Sequence, residues 1–227
     1  MMIVILILLL AALILGPQQW AKYILKKHST RRDDIEGTGG QFIKHLRKKF
    51  NLDYLKLEPS TVGDHYDPIS KTVRLSEANL NGQSLTAVAV AAHEFGHALQ
   101  HARNYQPLIA RTRMVGFAQK TEKLGGLALF AMPLLSMTPG GVRLVPLLII
   151  IMIITIAISS IVHLVTLPVE FDASFGRALP ILKQGQYINS KDMRSVRHIL
   201  LACAFTYLAS SLAGLLNFWR WFRFLRR

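Results

Sequence analysis

The residues His93-Glu94-Phe95-Gly96-His97 carry the densest chemistry in the chain. Two histidines four apart on a helix share one face, so both imidazoles reach a single ion such as Zn2+. Glu94 lies beside that face, where its carboxylate can take a proton from a water the metal has acidified. Zinc brings the pKa of such water toward about 7, which makes a nucleophile at neutral pH without Ser or Cys. The flanking residues are small and apolar, with Val90, Ala91 and Ala92 before the motif and Ala98 and Leu99 after it. That setting suits a buried active-site helix. Ser84 is placed to cap the helix, and the Ala-rich run favours it. Gly96 within it costs about 1 kcal/mol against Ala. Close approach of another backbone, or of a substrate, would account for that choice.

A catalytic zinc takes three protein ligands and keeps one position open. Metzincins place the third ligand as His six residues after the second, and here that position is Arg103. His101 falls on the same face, but one straight helix seldom bends three residues onto one ion, so packing or hydrogen bonding is expected of it. Glu170, in Leu167-Pro168-Val169-Glu170-Phe171-Asp172-Ala173-Ser174, is the better candidate. A carboxylate at the edge of an apolar segment is costly without a partner, and zinc would be one. The competing reading is a charge at a helix start after Pro168, stabilised by the dipole. Asp172 or Ser174 could accept a hydrogen bond from a ligand histidine. His65, Tyr66, His198 and Arg177 are candidate donors for a developing oxyanion, which the sequence does not rank.

The elements that must hold these residues follow from an odd composition. The 227 residues are 51% hydrophobic and only 18% charged, with a net charge of +14 and mean hydropathy +0.31. Soluble domains run near 25% charged, so a disordered chain is excluded and the composition argues against an ordinary soluble enzyme. The single cysteine, Cys203, rules out an intramolecular disulfide and a Cys-rich metal framework. Apolar runs predict spans over 1–25, Gly125–Thr138, Leu144–Pro168 and Ile199–Trp219, with Pro139-Gly140-Gly141 as a tight turn. Met1–Leu15 lacks the basic start and small-residue cleavage site of a signal peptide, so an uncleaved span is expected.

Four spans bring Glu170 to the same side as His93 and His97. All the lysines and arginines except Arg143 and the tail residues Arg220, Arg223, Arg226 and Arg227 lie on that side. The positive-inside rule therefore faces it to the cytoplasm. The tail interleaves Trp219, Trp221, Phe222 and Phe224 with its arginines and reads as interfacial. The expected division is a first transmembrane helix over 1–25, a zinc-binding catalytic region over 26–124 and a transmembrane hairpin over 125–168. A segment with the third ligand over 169–198 and a fourth helix with basic tail over 199–227 complete it. Within 26–124, Gly37-Thr38-Gly39-Gly40 breaks the chain and Gln41–Phe50 reads as an amphipathic helix. Asp64–Pro68 is turn chemistry, and Lys71–Leu75 alternates as a strand. That strand could pair with an extended substrate. His163 is unusual inside a span. The fold class is mainly α: a polytopic membrane protein of about four transmembrane helices, with a zincin-like catalytic helix domain and a small β element.

The blocks Asp64–Pro68 (DHYDP), Lys71–Leu80 (KTVRLSEANL), Ser84–Gln100 (SLTAVAVAAHEFGHALQ) and Leu167–Ser174 (LPVEFDAS) resemble the neutral zinc metallopeptidases of bacterial membranes, the YugP-like family. The resemblance runs in patches from about Gly37 to Ala178. More distantly the chain is similar to HtpX-like membrane proteases, a gluzincin group whose third ligand is a Glu on a later helix. The resemblance implies His93, His97 and Glu170 as ligands of Zn2+ and Glu94 as the catalytic base. One departure stands out: the HtpX-like pattern has an Asp four residues after the ligand Glu, where this chain has Ser174.

The function expected is a membrane-bound zinc-dependent endopeptidase of the bacterial cell membrane, multi-pass, acting on a protein or peptide substrate that includes membrane proteins. The lipid bilayer is its other partner; no nucleic acid is expected, and the sequence leaves the oligomeric state open. The alternative is a non-catalytic zinc-binding scaffold or adaptor, against which Glu94 argues, since a structural zinc needs no base. An intramembrane protease would bury the motif in a span of about 20 residues. Here Asn81, Gln83 and Ser84 open the helix and Gln100, Arg103 and Asn104 close it, and the Leu-Asp-Gly pattern of that class is missing.

Overall fold

The computed structural model describes residues 16–205, apart from the side chains at positions 156, 160, 163 and 164. The expectations for 1–15, for most of the fourth span and the arginine tail, and for the His163 side chain lie outside the described residues. Among the described residues the chain is mainly helical, with one three-stranded sheet. The described residues divide into two compact units, one built from residues on either side of the other: 16–105 with 169–205, and 106–168.

The first unit opens with helix α1 over 16–27, whose Ala21 and Ile24 are buried. Helix α2 (Gly39–Lys49) starts two residues earlier than the hydropathy pattern predicts. Thr38 accepts from the Gln41 backbone while the Gln41 side chain returns a bond to Thr38, and this reciprocal cap fixes the helix start. Its buried Phe42, Ile43 and Leu46 lie at helical spacing. Strands β1 (Lys56–Ser60), β2 (His65–Asp67) and β3 (Thr72–Ser76) follow. Their order in the sheet is β1-β3-β2, with β1 parallel and β2 antiparallel to β3. This corrects the substrate-strand expectation for Thr72–Leu75. Strand β3 is central, paired with β1 along its whole length and with β2 over Thr72–Arg74, and its Thr72, Val73 and Leu75 are buried.

After the short helix α3 (Glu77–Leu80), helix α4 (Leu85–Ala102) carries the chemistry. Ser84 Oγ accepts from the Ala87 backbone and caps it. Leu85 through Gln100 are all buried, so α4 is the central rod of the unit. Phe95, Val88 and Leu99 join Ile43, Leu46, Leu182, Val196, Ile199 and Leu200 in one core. The last three belong to helix α8, described over 193–205, whose first turns therefore face protein.

The second unit holds helix α5 (Gln106–Ser136), a short 3-10 turn over Gly141–Leu144, and helix α6 (Val145–Phe171), whose last residues return to the first unit. Helix α5 runs on through residue 125, where hydropathy changes; helix propensity does not change there, and the polar half is as helical as the apolar half. Ala128, Met132 and Met152 pack α5 to α6, and a Cβ on Gly125 would stand 3.0 Å from Thr155 Oγ1. One stretch among the described residues, Gly141–Ser159, is long and apolar enough to cross a membrane, with a mean hydropathy of 2.7 and only 12% of it buried.

After α6 the backbone loosens into a π-helical segment over Asp172–Ala178, followed by helix α7 (Leu179–Gln184). The π segment packs directly on α4, and Gly96 is the reason it can. A Cβ there would sit 2.6 Å from the Ala173 carbonyl oxygen. Gly96→Ala is expected to cost about 1–3 kcal/mol by overpacking and to loosen the π segment from α4. Gly126→Ala, in an open part of α5 with nothing within 4 Å, should be neutral or stabilising. Thermal unfolding of both variants in detergent checks the contrast; equal transitions would mean the contact at Gly96 is slack.

Candidate metal centre

Helix α4 places His93 and His97 one turn apart, their ring centroids 4.8 Å from each other. Glu170 arrives from the last turn of α6, and Pro168 lies inside that helix. Glu170 therefore does not sit at a helix start, which removes the dipole reading of its charge. Its Oε2 is 3.3 Å from Nε2 of each histidine. The three ligand atoms lie within 4.8 Å of one another, and the residues are only 4%, 6% and 4% exposed for His93, His97 and Glu170. Glu94 is buried in the same helix, at 6%.

The hydrogen bonds on the far side of each ring decide what the near side offers. Gln100, one turn past His97, donates from its amide nitrogen to the Val169 carbonyl and to Asp172 Oδ2, both at 2.8 Å. Two acceptors fix which end of the amide is nitrogen. Its oxygen must then face His97 Nδ1, 2.9 Å away, and accept the proton held there. Ser174 plays the same part for His93. Its hydroxyl donates to the Leu200 carbonyl at 3.0 Å, so toward His93 Nδ1, at 2.9 Å, it accepts. A neutral ring at either position thus carries its hydrogen on Nδ1 and a lone pair on Nε2. Two lone pairs and a carboxylate oxygen facing each other in a buried space repel, unless a cation joins them.

That donor set fits a metal ion. Tetrahedral ligands about 2.0 Å from zinc stand about 3.3 Å apart, which is the His-to-Glu separation seen here. Burial works to raise the Glu170 carboxyl, but when His97 and His93 carry a proton on Nε2 as well, their positive charge and hydrogen bonds outweigh it and hold the group well below the ordinary carboxylate range. The position is built for an anion that faces positive charge.

The supporting layer continues outward. Arg177 Nε donates to Asp172 Oδ2 at 2.7 Å and its guanidinium lies 5.3 Å over the Tyr105 ring. Arg177, Asp172, Gln100 and His97 therefore form one chain of hydrogen bonds. Both residues that the sequence offered as partners of a ligand histidine contribute, Ser174 directly and Asp172 through Gln100. Gln100 itself was missed; its only sequence signal is a polar residue three after His97 on an otherwise apolar helix.

His101 is not in the group: its Nδ1 is hydrogen-bonded to Tyr66 Oη at 2.8 Å, and burial and Lys71 lower its pKa. Arg103 caps the end of α4. Of the oxyanion candidates, Tyr66 holds His101, Arg177 holds Asp172, His65 Nδ1 contacts the Gly63 carbonyl at 3.0 Å, and His198 is exposed.

Gln100→Leu is expected to lower zinc affinity about 10–100-fold, because His97 loses the acceptor that orients it. Competition with a coloured chelator measures this, and an unchanged affinity would show that the amide is idle.

A mainly helical protein with a buried His-His-Glu group suited to a metal ion, two of its members one turn apart on a single helix, is the class that fold and site define. The chain belongs to the family described as "Putative neutral zinc metallopeptidase", whose model matches residues 2–226. It is 35% identical over 218 residues to the "Putative membrane protease YugP" of Bacillus subtilis (strain 168), covering 91% of this chain and 90% of that protein. No solved structure matches the chain.

Proposed function

We propose that this protein is a membrane-bound, zinc-dependent endopeptidase in which His93, His97 and Glu170 hold the metal and Glu94 is the general base. The observation that carries the reading is the pair of histidine tautomers fixed by Gln100 and Ser174, which turn both Nε2 lone pairs toward the Glu170 carboxylate. Bound zinc would supply a Lewis acid that polarises the scissile carbonyl and acidifies water beside it.

The chain's own residues do the rest. Glu94 takes the proton from the attacking water and returns it to the leaving nitrogen, which lets the carbon–nitrogen bond break. Gln100 and Ser174 hold the histidine rings against rotation, and the Asp172–Arg177 pair fixes Gln100. Burial of the group excludes bulk water and strengthens each of these interactions.

The substrate class is an extended or unfolded polypeptide, including segments of membrane proteins. Support for the membrane comes from the apolar stretch Gly141–Ser159 and from the printed name of the Bacillus relative. The multi-pass arrangement of about four spans, with the catalytic side in the cytoplasm, rests on the apolar runs and on the distribution of Lys and Arg.

Protein purified in detergent is expected to hold about one zinc per chain and to cleave an unfolded protein such as casein. A chelator should abolish cleavage and added zinc restore it. Cleavage that survives complete metal removal would refute the proposal, and zinc binding without any cleavage would favour the scaffold alternative.

A further inference from the structure

A second site lies in the first unit, at the start of α8. There a cavity of about 970 Å³ is lined by Lys183 of α7 and by Arg194 and Arg197 of α8. The two arginines are three residues apart and share a helix face. No carboxylate lines the cavity, whose other walls include Asn189, Ser190 and Met193. Among the described residues none of the three cations forms an ion pair. Asp192, the acid nearest in sequence, is taken up by Arg32 at 2.8 Å. Three like charges around one concavity repel each other and are relieved by an anion. Two guanidinium forks and an ammonium suit phosphate oxygens in particular. From this cavity the sequence runs directly into the apolar stretch Ile199–Trp219.

We propose that this cavity binds an anionic phosphate group, held by Arg194, Arg197 and Lys183. The chemistry is shared by an anionic lipid headgroup and by free phosphate, and the proposal is independent of the metal centre.

Full-length protein in a non-ionic detergent is titrated with phosphatidylglycerol, phosphatidylcholine and inorganic phosphate, with adducts counted by native mass spectrometry and thermal shifts recorded. Wild-type protein should bind phosphatidylglycerol at least tenfold more tightly than phosphatidylcholine. The double variant Arg194→Gln/Arg197→Gln should lose about 25-fold, at about fivefold for each cation near an anionic surface. Lys183→Gln, on a different helix, should lose about fivefold. All three side chains are exposed, so the fold should be kept. A matched charge change on α1, Lys22→Gln/Lys26→Gln, should leave binding unaltered. Phosphate binding with no added preference for phosphatidylglycerol would support the pocket and identify free phosphate as the source. Equal affinity in wild type and double variant, or an equal loss in the α1 variant, overturns the proposal.

Discussion

Glu94→Gln protein is expected to keep its zinc and to lose peptide hydrolysis by about 10²–10⁴-fold, the usual contribution of a positioned base. The substitution preserves side-chain shape and volume at a position that is 6% exposed, so misfolding is not the expected cause of the loss. It removes only the ability to take and return a proton. The group suited to hold the metal consists of other residues, His93, His97 and Glu170, so metal analysis and activity should separate. A variant with full zinc and full activity would remove Glu94 from the mechanism. Joint loss of zinc and activity would instead make Glu94 part of the metal's support.

Glu170→Ala should act in the opposite order, with zinc lost first and activity as a consequence. Glu170 brings the one negative charge among the three donors, and His93 and His97 alone leave a two-coordinate neutral site. An affinity loss of at least 100-fold is expected, as large as or larger than that from removing a supporting residue. Thermal unfolding with and without zinc provides a second reading. A ligand present at about 1,000 times its dissociation constant stabilises by about 4 kcal/mol, so zinc should raise the transition of the wild type clearly and that of the variant little. Zinc retained at wild-type affinity would mean that the third ligand lies elsewhere.

Much of this centre was legible in the chain because its parts obey local rules. The spacing of His93 and His97, the Ser84 cap and the alanine run all predict α4, and the cost of Gly96 predicts a close neighbour, which proves to be the Ala173 carbonyl. Glu170 stood out as an acid at the end of an apolar run. The supporting residues were harder, since their partners are distant in sequence. Gln100 looks like a polar helix end until Val169 and Asp172 are placed against its amide. Ser174 departs from the expected Asp, yet a hydroxyl whose own proton is committed to Leu200 accepts from His93 as a carboxylate would. The place of β3 was hidden for another reason. Alternation gives a strand and its buried face but not its neighbours, and here β1 pairs directly with β3, although β2 comes between them in sequence. The length of α5 was hidden because hydropathy marks where solvent changes, not where a helix stops.

The two halves of the metal-binding group are far apart along the chain: His97 and Glu170 are separated by 73 residues, and nearly all of that interval is the second unit. A ribosome makes the chain from its N-terminus, so the histidine helix emerges long before its carboxylate partner. No nascent chain has the complete His-His-Glu group until the apolar stretch 141–159 has already been synthesised. If the proposed function holds, the order of synthesis itself withholds the proteolytic activity from the translating ribosome and its surroundings until the segment suited to a bilayer has been made.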